Sequence, residues 1–291
     1  MNEIQEMATG AASTLGQGVE ECWMDLDDAR MRYLRAGSGP PLVLLHGLLG
    51  YSFSWRYTLP VLGSYATVYA PDMLGAGLSD HPPHLDYTLR ASAQRLLRFL
   101  DAVGIGSCDL LGASQGGAVV MMAAALAPDR VRRLVLSAPA NPWSSQGMWR
   151  ARVLSSRLVA PLVVRIGPYC GFTHKFLLRR LFGDPRRIRP GALEGYSAQF
   201  SVPGAFEPKL ALLRSWRRDL AELEGLLPRI ADVPTLLLWG GADRAVRPAS
   251  AKQLGKHFRD CRIQIFDGVG HIPFEEVPED FNRAVLGFLQ N

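Results

Sequence analysis

Ser114 stands in Leu110-Leu111-Gly112-Ala113-Ser114-Gln115-Gly116-Gly117, an apolar run that ends in Gly-x-Ser-x-Gly and continues into apolar or small residues at 118–127. The pattern predicts a strand turning sharply into a buried helix, with a strained and accessible serine at the turn, a nucleophile elbow. Gly112 and Gly116 are required there because side chains would collide across the turn. A serine hydroxyl is a weak nucleophile at neutral pH, so it needs a base within hydrogen-bond reach, and the base needs an orienting carboxylate.

Both partners are expected downstream, each on a loop after a strand, in the order serine, acid, histidine. Thr235-Leu236-Leu237-Leu238-Trp239 reads as a buried strand, and Gly240-Gly241-Ala242-Asp243 leaves it, which makes Asp243 the expected acid. Arg262-Ile263-Gln264-Ile265-Phe266 alternates polar and apolar residues as a strand does. It exits through Asp267-Gly268-Val269-Gly270-His271, which makes His271 the expected base. Asp267 competes as the acid, but a carboxylate after the seventh strand suits the chain order better. Upstream, Pro41-Leu42-Val43-Leu44-Leu45 runs into His46-Gly47-Leu48-Leu49-Gly50. Acyl transfer develops negative charge on oxygen, and backbone N–H groups of Leu48 and Gln115 are the expected oxyanion donors. His46, at the strand end, is expected to brace its loop.

These residues need a sheet whose strands end on one side. Apolar runs near 42–45, 66–70, 108–111, 133–137, 235–239 and 262–266 are separated by helix-length segments, and 21–36 is read as two leading strands. The alternation predicts an α/β fold: a mostly parallel eight-stranded sheet with helices on both faces. About 95 residues separate the sixth and seventh strands where a crossover needs far fewer, so the excess is read as an inserted helical cap. The expected boundaries are a flexible amino-terminal segment at 1–20, a core at 21–140 and 229–291, and a cap at 141–228. Within the cap, helical patterns are read at 149–159, 174–182 and 210–227.

His46-Gly47 to Gly50, Asp72-Met73-Leu74-Gly75-Ala76-Gly77-Leu78-Ser79, the elbow, Trp239-Gly240 to Asp243 and Gly270-His271 occur in order. Together they resemble the α/β-hydrolase superfamily, in its capped serine-hydrolase branch of small esterases, cofactor-free haloperoxidases and carbon–carbon bond hydrolases. The resemblance spans roughly residues 25–290 and implies the triad and oxyanion roles at these positions. Haloalkane dehalogenases and epoxide hydrolases of this fold carry Asp at the elbow, so Ser114 argues against both. Asn141 occupies a region where some relatives keep their acid, which favours Asp243. Carbon–carbon bond hydrolases commonly place Trp after the catalytic His, where this chain has Ile272. The expected activity is hydrolysis of a carboxylic ester of a small, largely apolar substrate. Carbon–carbon bond hydrolysis or perhydrolysis on the same triad is the alternative within enzymes, and a small-molecule receptor retaining the fold is the alternative outside them.

No metal or organic cofactor is called for. The four cysteines, Cys22, Cys108, Cys170 and Cys261, are widely spaced and read as free thiols rather than a zinc site or disulfide framework. Without a signal-peptide pattern or an 18-residue apolar run, a cytoplasmic protein with no stable membrane insertion is expected. Residues 141–220 hold 14 Lys plus Arg against 4 Asp plus Glu, while the rest of the chain holds 18 against 23. Such a patch can steer anionic substrates or meet anionic lipid; the reading preferred is that the arginines solvate the outer faces of the cap helices. Nucleic acid is not expected, since Arg179-Arg180 and Arg186-Arg187 accompany no binding module. Phe53, Met73, Trp143 and Phe274 are the expected pocket walls. Of the cap aromatics Trp143, Trp149, Phe172, Phe176, Phe182, Tyr196, Phe200 and Phe206, most are expected to pack in a small core of the cap and a few to face the cavity.

Overall fold

The computed structural model describes residues 18–144 and 152–291. Eight strands form one sheet: β1 (Val19–Leu26), β2 (Ala29–Ala36), β3 (Pro41–Leu45), β4 (Thr67–Pro71), β5 (Cys108–Ala113), β6 (Val131–Ser137), β7 (Thr235–Gly240) and β8 (Cys261–Phe266). Their order is β1-β2-β4-β3-β5-β6-β7-β8. β1 and β2 form an antiparallel hairpin, and β2 also runs antiparallel to β4. Every later pairing is parallel. The hairpin turns on Asp27 and Asp28, both at positive φ, the geometry a two-residue turn between twisted strands requires.

From β3 the chain goes to β4 on one side and β5 on the other. A crevice therefore opens outside the carboxyl ends of the strands at β3 and β5, the place where α/β sheets bind ligands. The apolar strands are buried on both faces, with alternate side chains feeding two cores. Val43 and Leu45 enter one core, with Leu110, Leu134 and Leu237. Leu42 and Leu44 enter the other, with Leu111, Val135, Leu236 and Leu238.

Helices α1 (Leu89–Ala102) and α2 (Gln115–Leu126) contribute Leu96, Phe99 and Val119 to the first core. α2 carries no polar face because residues 116–125 are buried all round. Between β6 and β7 lie α3 (Ala160–Ile166), α4 (Gly171–Leu181), α5 (Ala192–Ala198) and α6 (Glu207–Leu226). α7 (Ala249–Gly255) follows β7, and α8 (Pro278–Leu289) closes the second core with Phe281, Val285 and Phe288.

The cap differs from its sequence pattern in one stretch. The helix read at 149–159 falls partly outside the described residues; among the described ones 152–154 are helical, and 155–159 are turn residues with one bend at Ser156. Pro161 lies in the first turn of α3, where its missing N–H costs nothing, so it starts a helix instead of interrupting one. The other two cap patterns correspond to α4 and α6, shifted by a few residues. No helix among the described residues is long and apolar enough to cross a membrane.

Candidate active site

Ser114 joins β5 to α2 with φ 52° and ψ −117°, a conformation that costs a non-glycine residue about 1–3 kcal/mol. Neighbouring backbone holds it there: its N–H donates to Ser137 (2.9 Å), and its carbonyl accepts from Ala140 (2.8 Å). Gly116 shows why the elbow excludes side chains. A Cβ there would stand 2.4 Å from the His46 carbonyl oxygen and 2.5 Å from that of Leu45. The same closeness brings the end of β3 against the elbow, so that a Cβ on Gly47 would lie 3.2 Å from Ser114 Cβ. Gln115 opens α2, and its N–H, like every first-turn N–H, has no acceptor within the helix.

The 46–50 loop is fixed from below. His46 Nδ1 donates to the Gly47 carbonyl (2.9 Å), while Nε2 accepts from Met73 N–H (3.1 Å). Burial lowers the His46 pKa, which keeps this tautomer neutral. The 72–79 segment turns around the buried Asp72. Its carboxylate accepts from the N–H of Ser52 (2.7 Å) and of Leu78 (3.0 Å) and pairs with Arg32 (3.2 Å). This network, the reason for Asp72 and Ser79 in the motif, was not evident from the residue order alone.

Asp243 and His271 arrive on the loops after β7 and β8. Asp243 Oδ2 accepts from His271 Nδ1 at 2.7 Å. In the neutral imidazole this hydrogen bond places the proton on Nδ1 and leaves the lone pair on Nε2. The second oxygen of Asp243 accepts from the N–H of Ala245 (2.7 Å) and Val246 (2.9 Å). Trp239, fully buried, holds this turn by donating Nε1–H to the Val246 carbonyl (2.8 Å). Asp267, the competing acid, is exposed. Asn141 is buried and spends its amide on Pro139, Ser250 and Trp143.

The His271 loop is also clasped by the cap. His271 N–H donates to the Leu181 carbonyl at 2.6 Å. Glu276, buried just beyond, accepts from the N–H of Gly270 (2.8 Å), Gly183 (2.9 Å) and Asp184 (3.0 Å). Neither glycine could carry a side chain: a Cβ on Gly183 would lie 2.1 Å from the Gly268 oxygen, and one on Gly270 2.2 Å from that of Leu181. Beside it, Glu275 pairs with Arg56 and accepts from Tyr196 Oη of α5 (2.9 Å). Tyr51 Oη donates to the Gly195 carbonyl (2.7 Å), and Gln199 Nε2 donates to the Leu49 carbonyl (2.8 Å). The 46–50 loop and the His271 loop thus both hang on the cap. Sequence reading missed Glu276, Tyr51 and Gln199, whose partners across the boundary between cap and core lie 89 or more residues away and leave no local pattern.

The four expected wall residues fall in different places. Phe53 stands against the cap, edge-on to Tyr196 with ring centroids 5.4 Å apart. Met73 is buried beside His46. Phe274 packs in the second core against Trp55 (4.7 Å) and Phe281 (5.8 Å), and Trp143 stacks on His257 (4.9 Å).

One further group occupies this region. Lys209 of α6 is buried and donates to the carbonyls of Ala205 (2.8 Å) and Gly75 (3.4 Å), with no carboxylate among the described residues bonded to it. Burial pulls its pKa down to about 7. Near it, both ring nitrogens of His81 lack a partner among the described residues, and burial first, then Lys209, lowers the His81 pKa to about 4.

Strand order, elbow and the paired Asp243–His271 loops at one sheet edge define an α/β fold arranged for nucleophilic chemistry at its switch point. A family model described as the alpha/beta hydrolase fold matches residues 40–278. The chain belongs to the α/β-hydrolase family, in its capped branch, and is a hydrolase. It is 30% identical over 287 residues to haloalkane dehalogenase 2 of Mycobacterium tuberculosis strain H37Rv, covering 92% of this chain and 94% of that protein. It is 27% identical to the 2-hydroxy-6-oxo-2,4-heptadienoate hydrolase of Pseudomonas putida, covering 87% and 90%. Among solved structures it resembles haloalkane dehalogenase DatA of Agrobacterium tumefaciens C58, with a TM-score of 0.83 and 24% identity over 96% of this chain and 98% of that one.

Proposed function

We propose that the protein is a serine hydrolase that cleaves a carboxylic ester of a small, largely apolar substrate through an acyl-enzyme. The observation that carries this reading is the 2.7 Å contact between Asp243 and His271 Nδ1, which leaves Nε2 as a proton acceptor on the sheet edge where Ser114 stands. Ser114 Oγ attacks the acyl carbon while His271 takes its proton. The tetrahedral oxyanion is held by the N–H groups of Leu48 and Gln115. The intermediate collapses as His271 protonates the leaving alkoxide, and water, deprotonated by His271, releases the acid and restores Ser114. Asp243 fixes the imidazole tautomer and stabilises the imidazolium. None of these steps calls on a metal or an organic cofactor.

The dehalogenase likeness does not transfer as a reaction, because relatives with that activity use Asp where this chain has Ser114. A second reading, hydrolysis of a carbon–carbon bond in a vinylogous diketone, is favoured by the similarity to the Pseudomonas putida hydrolase. The four free cysteines support a reducing, cytoplasmic setting. A fluorophosphonate probe tests the nucleophile: it is expected to label the wild type and not Ser114→Ala, with the melting temperature retained. Labelling of Ser114→Ala at the wild-type rate would refute the assignment. Product analysis on a panel of esters and vinylogous diketones separates the two readings.

A further inference from the structure

The outer surface of the cap is both apolar and basic. Nine of the thirteen exposed large apolar side chains among the described residues fall within 153–177. Leu158 (91% exposed), Tyr169 (87%) and Phe172 (85%) stand almost wholly in solvent, and Leu162, Ile166 and Phe176 are about half exposed. Soluble surfaces carry single apolar residues without consequence, but not a concentration of this kind. Over 152–182 the chain has six cations, Arg152, Arg157, Arg165, Lys175, Arg179 and Arg180, all exposed, and no Asp or Glu.

The two helices that carry this surface are held by their inner faces. On α4, His174 and Leu178 point inward. His174 Nε2 donates to the Gly167 carbonyl at the end of α3 (3.1 Å), and its ring lies 4.4 Å from that of Phe200. With those anchors set, Phe172 and Phe176, one turn apart, face out, and Arg179 and Arg180 continue the exposed surface one turn on. Phe182, Tyr196 and Phe200 are buried as expected of most cap aromatics, and Phe172 and Phe176 are exceptions because the inward positions of α4 belong to His174 and Leu178.

We propose that this cap face binds the surface of an anionic lipid bilayer. Its aromatic and aliphatic side chains enter the boundary between headgroups and acyl chains, and the six cations meet the phosphates around them. Charge decides the occupant. A second copy of the chain would set six cations against six, whereas an anionic bilayer neutralises them. Long Arg and Lys stems beside Phe, Tyr and Leu suit an interface that is apolar at depth and anionic above. This is binding on a membrane, without a spanning segment.

The test is co-sedimentation of the full chain with vesicles of phosphatidylglycerol and phosphatidylcholine, against vesicles of phosphatidylcholine alone. The wild type is expected to sediment with the anionic vesicles and little with the neutral ones. Phe172→Ser/Phe176→Ser and Arg179→Glu/Arg180→Glu are each expected to weaken binding on the order of tenfold or more, with unchanged melting temperature. Absence of sedimentation, or equal binding by both double variants, would overturn the proposal. So would self-association in solution that Phe172→Ser/Phe176→Ser abolishes while vesicles are ignored, since the face would then join two copies. The readout needs no turnover, so it stands or fails apart from the serine-hydrolase reading.

Discussion

Asp243 and Asp267 lie on neighbouring loops, and only one has the contacts of an orienting acid. Asp243 shares a 2.7 Å hydrogen bond with His271 and is held by two backbone N–H groups, whereas Asp267 faces solvent. Asp243→Asn should preserve the fold yet lower kcat by about 10³–10⁴, because an amide can present its NH₂ to Nδ1 and trap the wrong imidazole tautomer. Asp267→Asn should stay close to wild type. Ester hydrolysis by the two purified variants measures the difference, and the reverse ranking would reassign the acid. The residues of this site were legible because chemistry and backbone strain leave short-range marks: glycines around a serine, and an acid and a histidine after apolar strands. Glu276 left none, since its partners come from Gly183, Asp184 and Gly270, and the sequence does not say which loops will touch.

At the scale of elements, all eight strands were readable to within a few residues: the inner strands β3, β5, β6 and β7, buried on both faces, are short apolar runs, and the more exposed β1, β2 and β8 carry alternating polar and apolar residues. The cap was readable in extent more than in form. Its helices pack by one face only, and which face is inward depends on partners such as Phe200 and the Gly167 carbonyl. Lys209 shows what such packing can impose: α6 seats its ammonium against the Gly75 carbonyl of the 72–79 loop, near His81 and His46, with Glu207 the acid that raises its pKa. Its ordinary value of 10.5 is pulled to about 7. Between those two pH values the unfolded chain binds a proton that the native chain does not, so stability should rise with pH across that window. Lys209→Met abolishes this pH dependence. The urea midpoint of the wild type relative to Lys209→Met should therefore climb from pH 7 to 9.5, at no more than about 1.4 kcal/mol per pH unit. A difference that stays flat would mean that Lys209 remains charged in the folded protein.

Over the whole molecule the charge is unevenly divided, with the excess of cations on the cap and a small excess of acids elsewhere. The cationic side chains of α3 and α4 are exposed, while Ser114 stands against Gly47 and makes its backbone hydrogen bonds with Ser137 and Ala140. A field centred on the outer face has little hold on a substrate entering the crevice, since screening sets in within about 8 Å at physiological ionic strength. For a short neutral ester in free solution, kcat/KM should accordingly be almost independent of salt. An anionic ester of equal size should gain no more than a few-fold at low salt. Rate constants for both esters at low and high salt decide this, and a large preference for the anion that salt erases would place the cationic field at the crevice mouth.

The clasp around Glu276 bears on how such a protein could be re-engineered or could have diversified. Cap and core meet through backbone atoms of residues 181–184 on one side and the 268–276 loop on the other, with glycine required on both sides. A cap transplanted from a relative would therefore misplace His271 unless residues 181–184 and Glu276 were carried across together. Swapping the cap alone should yield chimaeras that fold and yet do not turn over. In this chain the cap is heritable only with the loop it holds, and the unit of exchange crosses the boundary between the two layers.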